Sequence, residues 1–281
     1  MIELGIYNKL LVTRFTGNGL YLRDEEGEEV LLPNKYVPKG VKVDEELNVF
    51  VYNDSEDRPV ATMQVPKITL EKFAPLKVST VTNFGAFMDW GMEKELLVPF
   101  KEQTYPLQEG ETYVIYLYLD EQTNRLVGSA KIDAFLNNHE TGLNEGDEVN
   151  VMVYQKTEMG YKVIINDLHE GLVFKNEVFK PIEIGFQSKA YIKQIREDEK
   201  IDISLQKIGY GHIEEGAEGI LERIKSNGGF LPLTDKSSPE EISNVLGLSK
   251  KAFKKAIGNL YKQKLVRIET DGVYLINSEE Y

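Results

Sequence analysis

"TVTNFGAFMDWGMEKELLVPF", residues 80–100, sets two phenylalanines, Phe84 and Phe87, around a Gly-Ala pair. Leu96-Leu97-Val98 and Pro99 follow. In a regular strand side chains alternate faces, so residues three apart point opposite ways. The glycine between the rings relaxes that rule: it adopts backbone angles other residues avoid and can host a bulge that re-aims its neighbours. The stretch reads as a bent strand followed by a short one ended by proline.

The same arrangement occurs three times. "NGLYL" (18–22), "FGAFM" (84–88) and "MGYKV" (159–163) each put a glycine before a strand-like run, and "VLLP" (30–33), "LLVP" (96–99) and "GLVF" (171–174) follow at a similar distance. Each unit then has a β-rich run broken by charged turn residues, in "VFVYNDSEDRPVAT" (49–62), "IYLYLDEQTNRLVGS" (115–129) and "AYIKQIREDEKIDIS" (190–204). Gly19 to Gly85 is 66 positions and Gly85 to Gly160 is 75; Thr62 to Ser129 is 67 and Ser129 to Ser204 is 75. Two independent markers with matching offsets indicate a repeated unit. About five short Val-, Ile-, Tyr- and Leu-rich stretches per unit, separated by Gly, Asn, Asp and Pro, predict a small five-stranded Greek-key barrel of the OB type. The expected barrels are 1–65, 68–136 and 145–208, with linkers near Val65-Pro66-Lys67 and within 137–146.

After Gly211 the apolar period changes from two to 3.6. Residues 214–227 read as a helix with Ile220, Leu221 and Ile224 inward. In "SSPEEISNVLGLS" (237–249), Ser238 and Glu241 form a capping box, Pro239 takes the first helical position and Gly247 ends the helix. Ser249 caps a third helix, and "LVRIETDGVYLI" (265–276) is a hairpin turning at Asp271-Gly272. Residues 213–278 are therefore expected to be an α+β winged helix-turn-helix, which makes the chain multidomain. On the third helix Phe253, Ala256, Ile257 and Leu260 share one face, while Lys250, Lys251, Lys254, Lys255 and Lys262 share another. From Ser249 to Ile268 there are seven basic residues, Lys264 and Arg267 included, and no acidic one. That face is either a solvated surface or a contact for phosphates, which lysines position without reading bases.

The formal charge of −13 over 281 residues argues against crude attraction to a polyanion, so any such binding uses local basic patches. The acidic excess falls from four charges in residues 1–70 to one in 213–281. The absence of cysteine excludes disulfides and thiolate metal sites. No apolar run approaches the roughly 18 residues of a membrane helix, and residues 1–5 lack the pattern of a secretory signal. A cytoplasmic protein without membrane contact, cofactor or metal is expected.

"VSTVTNFGAFMDW…ELLVPF…LYLDEQTNRLVGSAK" resembles an S1 RNA-binding domain, a member of the OB class. The resemblance implies that Phe84 and Phe87 stand on the nucleic-acid face, where each exposed ring offers about 1–3 kcal/mol of stacking per base. The other arrangement packs one or both rings inside the barrel. The resemblance also implies Asp120 and Arg125 as binding residues, with Asp120 orienting Arg125 and Lys131 nearby. Pro99 stands where that family usually has histidine. The first unit matches at Tyr21, Asp54 and Arg58 but has Asn18 and Pro33 in place of the aromatic and the histidine, which implies weak binding or a structural role. In the third, Met159 and Lys162 replace the phenylalanines, Phe174 takes the histidine position, and Arg196 and Lys200 take the Asp and Arg positions with Lys193 nearby. This unit is either a spacer or a basic surface, with Tyr161 and Phe174 as stacking rings, continuous with the lysine helix.

Three S1-like units followed by a winged helix resemble the conserved virulence factor B family. The resemblance implies a non-catalytic RNA-binding protein that grips single-stranded RNA and influences expression of other genes. The competing reading is a DNA-binding transcription factor acting through the winged helix, although only Asn259 and Gln263 on the third helix suit base edges. An enzyme is not expected: His139, His169 and His212 are scattered, and the carboxylates lack metal-site spacing.

Overall fold

A computed structural model describes residues 1–178, 181–206 and 211–276, without the side chains of 211–216 and 218. The expected ends of the third barrel (207–208) and of the winged helix (277–278), and the His212 side chain, lie outside the described residues. The chain divides into two compact units, Met1–Asn137 and Asn138–Tyr281.

The first unit holds two five-stranded barrels. β1 (Tyr7–Thr16), β2 (Gly19–Arg23), β3 (Glu29–Pro33), β4 (Glu46–Asn53) and β5 (Pro59–Thr62) close in the order β1-β2-β3-β5-β4. The seam is a short parallel pairing, Leu31 opposite Val60. β6 (Phe73–Val81), β7 (Gly85–Asp89), β8 (Leu96–Pro99), β9 (Thr112–Asp120) and β10 (Arg125–Ser129) repeat that path. Here the ladder runs β10-β9-β6-β7-β8 without hydrogen-bonded closure, although Gly128 of β10 packs on Leu96 and Val98 of β8.

In the second unit β11 (Glu148–Lys156), β12 (Gly160–Ile165), β13 (His169–Phe174), β14 (Gln187–Ile195) and β15 (Ile201–Ser204) form a closed barrel in the same order. Next come α1 (Gly211–Ser226), β16 (Phe230–Leu231), α2 (Pro239–Leu246), α3 (Lys250–Lys262), β17 (Val266–Ile268) and β18 (Val273–Leu275). This is a winged helix, and β16 is a strand the sequence did not mark. Ser238 and Glu241 make both bonds of the capping box, and Gly247 ends α2 in the left-handed region at φ 68°. The Ser249 hydroxyl accepts from the Ala252 N–H, and α3 buries Phe253, Ala256, Ile257 and Leu260.

The repeat is as visible in the backbone as in the sequence. The first strand of each barrel is bulged at Val12/Arg14, Val78/Thr80 and Val153/Gln155. A Cβ added at Gly19, Gly85 or Gly160 would lie 2.1, 2.3 or 2.0 Å from the carbonyl oxygen of Leu32, Val98 or Val173. Only glycine permits that approach. The hydroxyls of Thr16, Thr82 and Thr157 donate to the carbonyls of the same three glycines. Thr62, Ser129 and Ser204 are buried hydroxyls, each accepting the N–H two residues on.

The first two barrels share a core. Phe50 and Tyr52 of β4 meet Trp90 edge-on at 5.9 and 6.0 Å, within one cluster that continues through Ile115 and Leu117. The turn after β4 completes the junction: Asp57 receives Lys94 Nζ at 2.9 Å and pairs with Arg125. Lys94 first, and then Arg125, hold the Asp57 carboxyl below the ordinary carboxylate range, against partial desolvation. A lowered carboxyl pKa contributes stability above the unfolded-state value of about 3.9 that disappears as pH falls through the folded value. Asp57→Asn is therefore expected to lower the melting temperature at neutral pH, with the difference from the parent closing below about pH 4. Paired thermal melts across pH check this.

Candidate nucleic-acid interface

The bulge and the glycine decide which side chains leave the core. Leu20, Ala86 and Tyr161 lie opposite Leu32, Val98 and Val173, and Tyr21, Phe87 and Lys162 lie opposite Leu31, Leu97 and Leu172. Leu20 and Ala86 are buried, which makes the first set the inward register. Phe87, in the second set, is half-buried outside the core cluster, and Phe84, just before β7, is 67% exposed. Neither ring is sealed inside. The Phe84 N–H donates to the Thr82 hydroxyl at 3.2 Å, which pins the turn that presents the ring.

The surrounding charges depart from the sequence reading. Arg125 pairs with Asp57 of the first barrel, not with Asp120. Asp120 accepts instead from the Gln122 N–H at 3.0 Å, and this bond, ahead of the Thr123 hydroxyl, lowers its pKa. The reason is geometric: the extra residue in the 120–125 turn is spent on a local Asp cap, while Arg125 faces the neighbouring barrel. Lys131 is exposed. In the first barrel Asp54 does hold Arg58, at 3.0 and 2.7 Å, and Tyr21 is covered by the Arg14 guanidinium 4.0 Å from its ring centre.

The third barrel is not an unmatched basic surface. Lys162 lies 3.1 Å from Glu170, Lys193 pairs with Glu177, and Lys200 lies 2.6 Å from Asp198. Arg196 bonds Asp202 at 3.1 and 2.9 Å and lies 5.6 Å from the centre of the Phe174 ring. Tyr161 is half-buried. It occupies the inward register and packs against the barrel core. The sequence showed the cations; two of their four carboxylate partners, Glu170 and Asp202, stand on other strands.

α3 is different. Lys251, Lys254, Lys255, Lys262 and Lys264 are exposed and Lys250 is half-buried. Lys254 has one long contact, 3.9 Å to Asp235, and Arg267 has another, 3.8 Å to Glu269, while lying 4.8 Å from the Tyr274 ring centre. Among the described residues no carboxylate pairs with Lys250, Lys251, Lys255, Lys262 or Lys264. Lys250 and Lys251 also begin the helix, whose first turn carries no acid, whereas α2 begins with Glu240 and Glu241. Cations at the positive end of a helix oppose its dipole, and like charges four apart repel. The N-terminal lysines of α3 are held against helix electrostatics. The Gln263 amide donates to Asn259 at 3.4 Å, so the two side chains suited to base edges engage each other.

Comparison with known proteins finds the same two kinds of domain. Residues 218–275 match the CvfB-like winged helix domain and residues 4–64 match the S1 domain. Over its length the chain is similar to proteins named conserved virulence factor B. The protein of that name from Staphylococcus epidermidis (strain ATCC 12228) is 27% identical over 283 residues, covering 97% of this chain and 94% of the relative. Its namesake from Staphylococcus aureus (strain USA300) is 27% identical over 293 residues with the same coverage. A solved multidomain protein with nucleic acid binding domains from Streptococcus pneumoniae TIGR4 is 24% identical across 97% of this chain and 98% of that one, with a TM-score of 0.44. The conserved virulence factor B resemblance read from the sequence is borne out, as is the multidomain fold of barrels and winged helix. The S1 match falls on the first barrel, whose aromatic motif is the weaker; the second repeats its strand path and adds the two rings.

Lys251→Glu separates function from stability on α3. It is expected to stabilise the winged helix by roughly 0.5 kcal/mol, by removing a cation from the positive helix end, while weakening polyanion binding. Thermal unfolding and a binding titration on the same variant check that the two effects have opposite signs.

Proposed function

We propose that the protein is a non-catalytic binder of single-stranded RNA that acts in the cytoplasm and influences gene expression after transcription. The observation that carries this reading is the contrast in charge pairing: the barrel cations at the predicted positions, Lys131 apart, are engaged by carboxylates, whereas most lysines of α3 are unpaired. In an acidic protein, unpaired cations grouped on one helix suit a polyanion. The exposed Phe84 ring adds a stacking platform, a contact that needs an unpaired base. Duplex DNA offers no free base face to that ring, and the Asn259–Gln263 contact leaves α3 with lysines, which hold phosphates without reading sequence. Barrels and winged helix on one chain raise the effective concentration of each for the next contact.

Fluorescence anisotropy with a short single-stranded RNA, in competition with duplex DNA, tests this. Phe84→Ala is expected to cost about 1–3 kcal/mol of binding. Lys251→Glu with Lys255→Glu is expected to weaken binding and flatten the salt dependence, by about 0.7 in log-log slope for each phosphate no longer neutralised. Preference for a particular duplex would favour the transcription-factor reading.

A further inference from the structure

The junction of the first two barrels encloses a cleft of about 320 Å³, at the small end of the range for ligand pockets. It opens along the seam between β8 and β10, where the second barrel lacks a hydrogen-bonded ladder. Phe87 and the 3%-exposed Trp90 are among its walls. Its polar groups are incompletely used. Asn53 is only 6% exposed, and its side-chain carbonyl has no hydrogen-bond partner. Its amide nitrogen makes one long bond, 3.3 Å to the Asp57 carbonyl. Glu95, half-buried on the other side, has no ion pair or hydrogen bond among the described residues. Lys94 donates to the Asp54 carbonyl at 2.8 Å and to Asp57 at 2.9 Å, which leaves one of its three protons.

The cleft therefore offers two unfilled acceptors and one unfilled donor beside an aromatic wall. A buried acceptor without a partner is rare and costly, and a ligand donor removes the cost. The pairing edge of guanine is the complement: one acceptor, O6, beside two donor positions, N1–H and N2–H₂. Uracil and adenine each offer only one donor position there.

We infer that this cleft takes one unstacked guanine of a bound strand, with Glu95 and Asn53 accepting its N–H protons, Lys94 donating to O6 and Phe87 against its face. The inference rests on the RNA-binding reading and extends it: Asn53 comes from the first barrel, so base preference belongs to the pair of barrels and to neither alone.

Trp90 is the chain's one tryptophan, so intrinsic fluorescence reports on this cleft directly. The full-length protein is titrated with short uridine strands bearing a central guanine, inosine, adenine or uracil, and anisotropy of labelled strands is followed in parallel. The guanine strand is expected to change Trp90 emission saturably and at about tenfold lower concentration than the adenine or uracil strand. Inosine, which lacks the 2-amino group, is expected to fall between. Glu95→Leu should abolish the preference, and so should Asn53→Leu; Glu95 is partly exposed, so its variant carries the test if Asn53→Leu disturbs the junction. An emission change identical for all central bases, a silent Trp90 while anisotropy shows binding, or a guanine preference intact in Glu95→Leu would overturn the inference and leave RNA binding standing. Failure of every strand to bind by anisotropy would instead remove the RNA-binding reading.

Discussion

Once in each barrel a glycine brings its backbone so near a carbonyl of the neighbouring strand that no side chain fits between them. That close approach, with the bulge on the strand before it, decides which residues face into each barrel and which face out. In the second barrel it places Ala86 and Met88 inside and leaves Phe87 outside, with Phe84 on the turn that leads in. In the third, the same register puts Tyr161 against the core. One backbone constraint, repeated, thus yields an aromatic outer surface in one barrel and a Lys162–Glu170 pair in another. What each barrel can bind follows from which side chains the sequence supplies at the outward positions.

Charge sorts the molecule in the same way. With a formal charge of −13, the chain has carboxylates in excess of its cations. The barrels use them: Asp54 on Arg58, Asp57 on Arg125, Asp202 on Arg196. On α3 five of the lysines, Lys264 just after it included, have no carboxylate partner among the described residues, and Lys250 and Lys251 stand at the helix end where cations are unfavourable. A surface kept cationic at some expense to helix stability is better explained by a polyanionic partner than by solvation.

Much of this was legible in the sequence because the signals are local or periodic. The offsets of 66 and 75 located the three barrels, and the Ser238–Glu241 box, Gly247 and the 3.6 period located the helix-turn-helix and its buried face. What escaped was non-local. Phe50 and Tyr52 read as ordinary strand residues, and nothing near them announces that they face Trp90 of the next barrel. Asp57 lies in an acidic turn that reads as solvated, while its partner Arg125 is 68 positions away. The cations of the third barrel could be counted but not paired, since Glu170, Glu177 and Asp202 reach them through the fold. The two-residue strand β16 is too short to leave a pattern.

On the proposed function, the exposed ring of the second barrel and the unpaired lysines of α3 contact one unpaired polynucleotide. Ultraviolet crosslinking of single-stranded RNA to the intact protein, followed by mapping of the attached peptides, tests it most directly. The account predicts adducts on the peptide carrying Phe84 and on peptides of α3. Adducts confined to the third barrel, with neither of those peptides modified, would contradict it.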